Sequence, residues 1–218
     1  MSEKTIRMYS RREVLATGVA AAGVAGIPAA RAQVSKKGVK VTIVTGSPHK
    51  RGASFLLADR FIEGAQEVGA DIVRFDAAFK RITACSGCDH CGLGSSPCVY
   101  RDDMFEINDR LIDSDLIVFC TPLYYFGFSA QLKLFIDRFY AINNQLHRPK
   151  NAALLAAAWN TNDWTMTALK VHYETIVRYM GWTDVGQVMG IGCGTRSQCQ
   201  SSEFPDMAYE LGRKICAA

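Results

Sequence analysis

Nowhere in the 218 residues does a Gly-Lys-Ser/Thr triplet occur, so the chain holds no nucleoside-triphosphate P-loop. The dinucleotide fingerprint G-x-G-x-x-G is missing too, because the relevant pair, Gly46 and Gly52, is separated by five residues. No Ser–His–Asp set and no paired carboxylates stand out, which argues against an acid–base centre built on side chains. Internal repeats and low-complexity segments are lacking, and a second domain is not expected at this length. The uncharged run from Val14 to Ala30 is 17 residues long and carries Gly18, Gly23, Gly26 and Pro28, a poor membrane span. No permanent membrane anchor is expected. Strong charge is also missing: the net is +4, but residues 1–32 hold five Lys/Arg against two Asp/Glu, leaving about +1 for the rest. A nucleic-acid partner is therefore not implied.

What the chain does have is a strand that runs into a polar loop. Val39, Val41, Ile43 and Val44 form a β-branched run suited to a central parallel strand, and Gly46 breaks it. Beyond the break, Gly46 and Gly52 let the backbone approach a ligand, while Ser47, Ser54 and the free N–H groups ahead of a helix at 53–68 point at one spot. An anion suits that spot, since unsatisfied amides and the helix dipole both favour negative charge. His49, Lys50 and Arg51 add positive field at the rim. A Ser/Gly-rich turn can equally be a plain βα connection, so the remaining chain has to decide.

Leu56, Leu57, Phe61, Ile62 and Ala65 recur at helical spacing up to Gly69, and Asp71 to Phe75 reads as a second strand, giving a right-handed βαβ start. Farther on, 103–113 reads as an amphipathic helix, 116–120 as a buried strand, 154–158 and 185–191 as strands, and 166–180 as a helix. A final helix carries Met207, Leu211 and Ile215. With 49% hydrophobic and 21% charged residues, the whole is one globular α/β domain.

Eight cysteines are many, and their spacing has to assign them. Cys85, Cys88 and Cys91 stand in tandem C-x2-C-x2-C, and Cys98 follows after six residues, with Gly87, Gly92, Gly94 and Pro97 keeping the segment a loop. Structural zinc generally takes two separated C-x2-C pairs, whereas the tandem spacing is of the iron–sulfur type. A [4Fe–4S] cluster is thus favoured over zinc, and free thiols or disulfides stand as the other reading. His90 reads as a loop residue and Cys120 as core. Cys193 and Cys199 sit in a glycine-rich loop, open either to pairing in an oxidising compartment or to staying free.

A strand followed by G-S-P-x-x-x-G-x-S, Gly46 to Ser54, resembles the FMN-phosphate loop of the NADPH-dependent FMN reductases and iron–sulfur flavoproteins. The cysteine motif and the neighbouring Asp102-Asp103-Met104 resemble the same family, as does P-x-Y-x-x-x-x-S-A-x-L-K-x-F-x-D-R from Pro122 to Arg138. The resemblance implies a flavodoxin-like three-layer α/β/α fold with a five-stranded parallel sheet in the order 2-1-3-4-5. Ligands of such sheets bind outside the carboxyl ends of the strands at the switch point, here between strands one and three. By the resemblance Ser47, Lys50, Gly52, Ser54 and Phe55 belong to the phosphate side. Pro122, Leu123, Tyr124, Tyr125, Phe126 and Gly127 lie along the isoalloxazine, and Asn160 in Trp159-Asn160-Thr161 reaches its pyrimidine edge. Tyr124 and Phe126 could instead cap the core, and Lys133, Asp137 and Arg138 read as helix ion pairs. The implied activity is FMN-dependent oxidoreduction with NAD(P)H as donor and a small molecule or redox protein as acceptor, the alternative being a non-enzymatic electron carrier. A homo-oligomer is expected.

Ser10-Arg11-Arg12-Glu13-Val14-Leu15, the uncharged run and Ala30-Arg31-Ala32 resemble a twin-arginine export signal with an A-x-A cleavage site. The alternative is an N-terminal extension of a cytoplasmic protein. Residues 1–32 are therefore expected to be removed, leaving a flavodoxin-like domain at 33–218 in the periplasm.

Overall fold

The computed structural model describes residues 38–217. The twin-arginine segment, 1–32, lies outside the described residues. Five parallel strands, β1 (Lys40–Thr45), β2 (Asp71–Asp76), β3 (Leu116–Pro122), β4 (Asn151–Ala157) and β5 (Thr183–Gly190), form one sheet in the order β2-β1-β3-β4-β5. The helices are α1 (Ala53–Glu67), α2 (Met104–Asp113), α3 (Ala130–Asp137), α4 (Asn143–Leu146), α5 (Thr167–Met180), α6 (Arg196–Gln200) and α7 (Phe204–Cys216). Among the described residues no helix is long and apolar enough to cross a membrane.

Central strands are apolar at nearly every position because each face has its own core, and the two-residue period of a strand sorts the side chains. Val41 and Ile43, Leu116, Val118 and Cys120, and Ala153 and Leu155 pack with Leu57 and Phe61 of α1 and Ala208 of α7. Their neighbours Val44, Ile117, Phe119, Ala152 and Leu154 face Leu111 of α2, Leu132 and Phe135 of α3, and Leu169, Tyr173 and Val177 of α5. Three layers result, as expected for the flavodoxin-like class. Alanines on β4 leave room for large rings on that second face, where Phe119 meets Phe128, Phe139 and Tyr173 at centroid distances of 6.1–6.3 Å.

On the last helix Leu211 and Ile215 pack half-buried against the core, while Met207 is 43% exposed. The fully buried positions are Pro205, Ala208, Gly212 and Cys216. Close approach to α1 explains them: a Cβ on Gly212 would stand 2.2 Å from the Phe61 carbonyl oxygen, and one on Gly64 2.1 Å from that of Tyr209. Small residues, not large ones, face the partner helix there.

Candidate functional site

The carboxyl ends of β1, β3, β4 and β5 surround one cleft of about 260 Å³. Ser47, His49, Gly52 and Ser54 line one end, Pro122, Leu123 and Tyr124 another, and Ala157, Trp159, Cys193 and Gly194 the far wall. No carboxylate is among them.

The first end is an anion site by construction. Gly52 is the N-cap of α1, no side chain caps that helix, and its first turn carries no acidic residue. The leading amides are thus left to a ligand. Ser47 Oγ accepts from the His49 N–H at 3.1 Å and the Gly52 N–H donates to the His49 carbonyl at 2.9 Å, which folds the loop back on itself. Gly46 fixes the loop to the neighbouring strand end: its N–H donates to Cys120 O and its carbonyl accepts from Ser129 Oγ at 2.7 Å. A Cβ at Gly46 would meet that hydroxyl at 2.3 Å. Ser129 also caps α3 and donates its N–H to Thr121 Oγ1, so one buried serine couples the β1 and β3 loops.

The aromatic end is a strained turn. Tyr124 and Gly127 exchange backbone hydrogen bonds, and Tyr125 (φ 45°) and Phe126 (φ 64°) between them are left-handed without being glycine. Leu123 is held to β4 through its N–H and the Ala157 carbonyl, 2.8 Å. Tyr125 is fully exposed, and Phe126 packs on Trp164 at 5.3 Å. Tyr124 and Phe126 are 42% and 40% exposed, so the core-capping alternative fails for both.

Of the expected contacts, Ser47, Gly52, Ser54, Pro122, Leu123 and Tyr124 share the cleft. The others do not line it. Lys50 lies in a basic groove with His49, Arg51 and Arg196, its ammonium 4.7 Å from the Phe79 ring centroid. Phe55 is buried against Arg74 and Phe79. Tyr125, Phe126 and Gly127 form the outer turn, and Asn160 spends its Oδ1 on the Asn162 backbone and side-chain amides at 3.1 and 2.9 Å. Sequence reasoning missed Cys193 and Gly194, although the rule that ligands lie beyond strand carboxyl ends covers the loop after β5 as well.

Cys85, Cys88, Cys91 and Cys98 do come together around one recess, which they share with Arg138 and Tyr140. Burial, then the nearby Cys98, Cys85 and Cys88, push the Cys91 thiol up. The donor set suits a thiolate-bound centre, but the space does not: the recess is about 10 Å³, room for one water. Among the described residues no three Cys, His, Asp or Glu side chains converge as a metal site, and all eight cysteines are free thiols. The loop is anchored from below. Arg138 donates to Asp102 Oδ2 at 2.6 Å and to the Thr83 carbonyl at 2.9 Å, and Tyr140 OH donates to Asp89 Oδ1 at 2.6 Å. Arg138 is therefore a buried long-range partner and not a member of a helix-surface pair, as Lys133 with Asp137 is.

A five-stranded parallel sheet in the order β2-β1-β3-β4-β5, with a glycine- and serine-bearing βα loop and an aromatic loop at its switch point, defines a flavodoxin-like domain. The chain belongs to the NADPH-dependent FMN reductase family, whose model matches residues 39–195. It is 27% identical over 192 residues to the iron-sulfur flavoprotein MJ1083 of Methanocaldococcus jannaschii, covering 81% of this chain and 95% of that one. An iron-sulfur flavoprotein of Archaeoglobus fulgidus is 33% identical over 111 residues, 51% of this chain, and the match spans about half of that relative's length, 49%. Among solved structures, an NAD(P)H:quinone oxidoreductase from Methanothermobacter marburgensis superposes with a TM-score of 0.66 at 19% identity, over 80% of this chain and 94% of that one. An FMN-dependent NADH-azoreductase of Bacillus anthracis in complex with FMN gives 0.59 at 14%, over 82% and 99%. The description of the family names FMN, and the uncapped α1 with its two serines fits a phosphate dianion.

Proposed function

We propose that the chain holds FMN with its phosphate at the first turn of α1 and its ring against the Pro122–Tyr124 loop, and works as an oxidoreductase between a reduced donor and a small acceptor. One observation carries the reading: an uncapped helix start, two serine hydroxyls and an aromatic loop wall a single cleft free of carboxylates. When bound, the flavin supplies the redox chemistry, accepting and releasing electrons or hydride. The chain's own share is placement. The α1 amides with Ser47 and Ser54 would neutralise the phosphate, Pro122 and Leu123 would exclude water from the cleft, and the Ser129 strut holds the two loops in register. NAD(P)H is the donor to test first, with quinone or ferricyanide as acceptor. Flavin that survives dialysis together with acceptor-dependent NAD(P)H oxidation supports an oxidoreductase. Flavin without such turnover leaves a carrier that exchanges electrons with protein partners, and failure to bind FMN removes both.

A second reading adds a [4Fe–4S] cluster, favoured by the four cysteines sharing one recess. It requires the recess, now about 10 Å³, to widen. Iron and acid-labile sulfide in anaerobically purified protein, lost in Cys88→Ala and Cys91→Ala with FMN retained, would support it. Wild type without iron or sulfide leaves four thiols.

A further inference from the structure

Cys193 stands at the wall of the cleft and Cys199 lies buried behind it, neither with a part in the reading above. Cys193 lies on the turn after β5 and lines the cleft, its sulfur packed so closely on Gly190 that a Cβ there would be 3.0 Å away. Cys199 belongs to α6, whose start is fixed by a capping box between Thr195 and Gln198. Both are free thiols, 2% and 0% exposed, in one core cluster, and Cys193 is near enough to help raise the Cys199 thiol. Ser202 completes the group: its hydroxyl donates to the Cys199 carbonyl at 2.6 Å and stands 3.7 Å from Cys193 Sγ. Buried cysteines often serve as small apolar packing, as Cys120 does here. This pair differs because both cysteines touch Ser202 and one of them borders a ligand cleft.

We propose that Cys193 and Cys199 are a redox-active dithiol that closes to a disulfide by exchange with a small disulfide entering through the cleft, and that bound FMN shields it. The shielding rests on the reading of the cleft as the FMN site. In the exchange, the Cys193 sulfur attacks one sulfur of the small disulfide RSSR, forming a mixed disulfide and expelling RS⁻, which takes the proton that Cys193 gives up. Cys199 then attacks the Cys193 sulfur, its proton passes to the second departing RS⁻, and the protein disulfide forms. Two protein thiols and RSSR become one disulfide and two RSH, with no other oxidant. Position sets the order: Cys193 borders the cleft and meets the small disulfide first, whereas Cys199 is fully enclosed and is reached only from Cys193.

The full chain, freed of FMN, is incubated with glutathione disulfide, alkylated and digested with trypsin. Cleavage after Arg196 puts the cysteines on separate peptides, 179–196 and 197–213, so the disulfide is read as a cross-linked pair. Wild type should give the cross-link, and Cys199→Ser should stop at a glutathione adduct on Cys193. FMN at about ten times its Kd should slow the cross-link about tenfold, because only the free fraction reacts. Two separately alkylated peptides after prolonged incubation overturn the proposal. So does a cross-link rate indifferent to FMN while flavin fluorescence shows the cofactor bound. Loss of flavin binding in that titration overturns the FMN reading and the shielding with it, while the FMN-free wild-type cross-link decides the pair even if Cys199→Ser fails to fold.

Discussion

Asp102 and Arg138 are 36 positions apart and meet in a buried ion pair at 2.6 Å, below the cysteine loop. Burial by itself would raise the Asp102 carboxyl. The Arg138 guanidinium and the N–H groups of Thr83 and Met104 outweigh it and hold the group below the usual carboxylate range. A carboxylate with a lower pKa in the folded state contributes stability above its unfolded value of roughly 4, and the contribution disappears as pH falls through the folded value. Asp102→Asn should therefore cost about 3 kcal/mol at neutral pH, since it leaves Arg138 buried and unpaired. Urea unfolding at about pH 7 and about pH 3 should show the gap between variant and wild type narrowing in acid; a gap of equal size at both would refute the assignment. The sequence displayed both residues inside family-like motifs, but nothing in spacing tells that an arginine just past a helix end reaches back to an aspartate ahead of another. Phe55 illustrates the same limit, because a residue next to a phosphate loop can face cleft or core and only the packing of Arg74 and Phe79 decides. Ser47, Gly52 and Ser54 were legible as residues lining the cleft, because the geometry of an uncapped helix start is local.

Elements were legible wherever one face or two carried large apolar side chains, as with β1, β3 and the stripe of α1. Legibility ended where contact is made by small residues. On α7 the pattern of Met207, Leu211 and Ile215 found two half-buried core residues, Leu211 and Ile215, but not the small residues Ala208, Gly212 and Cys216 that are buried beside them. Gly64→Val should consequently destabilise the domain by about 2 to 3 kcal/mol, because backbone, not a yielding side chain, opposes the new atoms. An unchanged urea midpoint would show that the helices separate without cost. The Tyr124–Gly127 turn gives the opposite expectation. Tyr125→Asn with Phe126→Gly places permissive residues at two left-handed positions and should stabilise the FMN-free protein by about 1 to 2 kcal/mol. Flavin titration of the same variant should show weaker binding if the turn's aromatic rings serve the site. Lower stability would mean that the Phe126–Trp164 contact outweighs the backbone strain.

For the molecule as a whole, the N-terminal segment and the cleft make demands that conflict if read separately. Arg11 and Arg12 before an uncharged run, with Ala30-Arg31-Ala32 after it, motivate the proposal that the protein is exported by the twin-arginine route. That route carries proteins already folded, which agrees with a cofactor acquired before export. Soluble NAD(P)H is not expected outside the cytoplasm, so the donor there should be a membrane or protein redox partner, whatever reduces the protein in the test tube. Such an encounter relies on short-range contact, because a domain with a charge of about +1 exerts little long-range steering. The exposed Tyr124, Tyr125 and Phe126 beside the cleft offer an apolar surface for it. Cell fractionation with flavin analysis tests the chain of argument: mature protein starting at Gln33 should be found in the periplasm with FMN bound. Arg11→Lys together with Arg12→Lys should hold it back in the cytoplasm, uncleaved but still carrying flavin, since the cleft is remote in sequence from the exchanged residues. Wild-type protein that stays uncleaved in the cytoplasm, at the same level with and without the exchanges, would remove the export proposal and return NAD(P)H to the place of physiological donor.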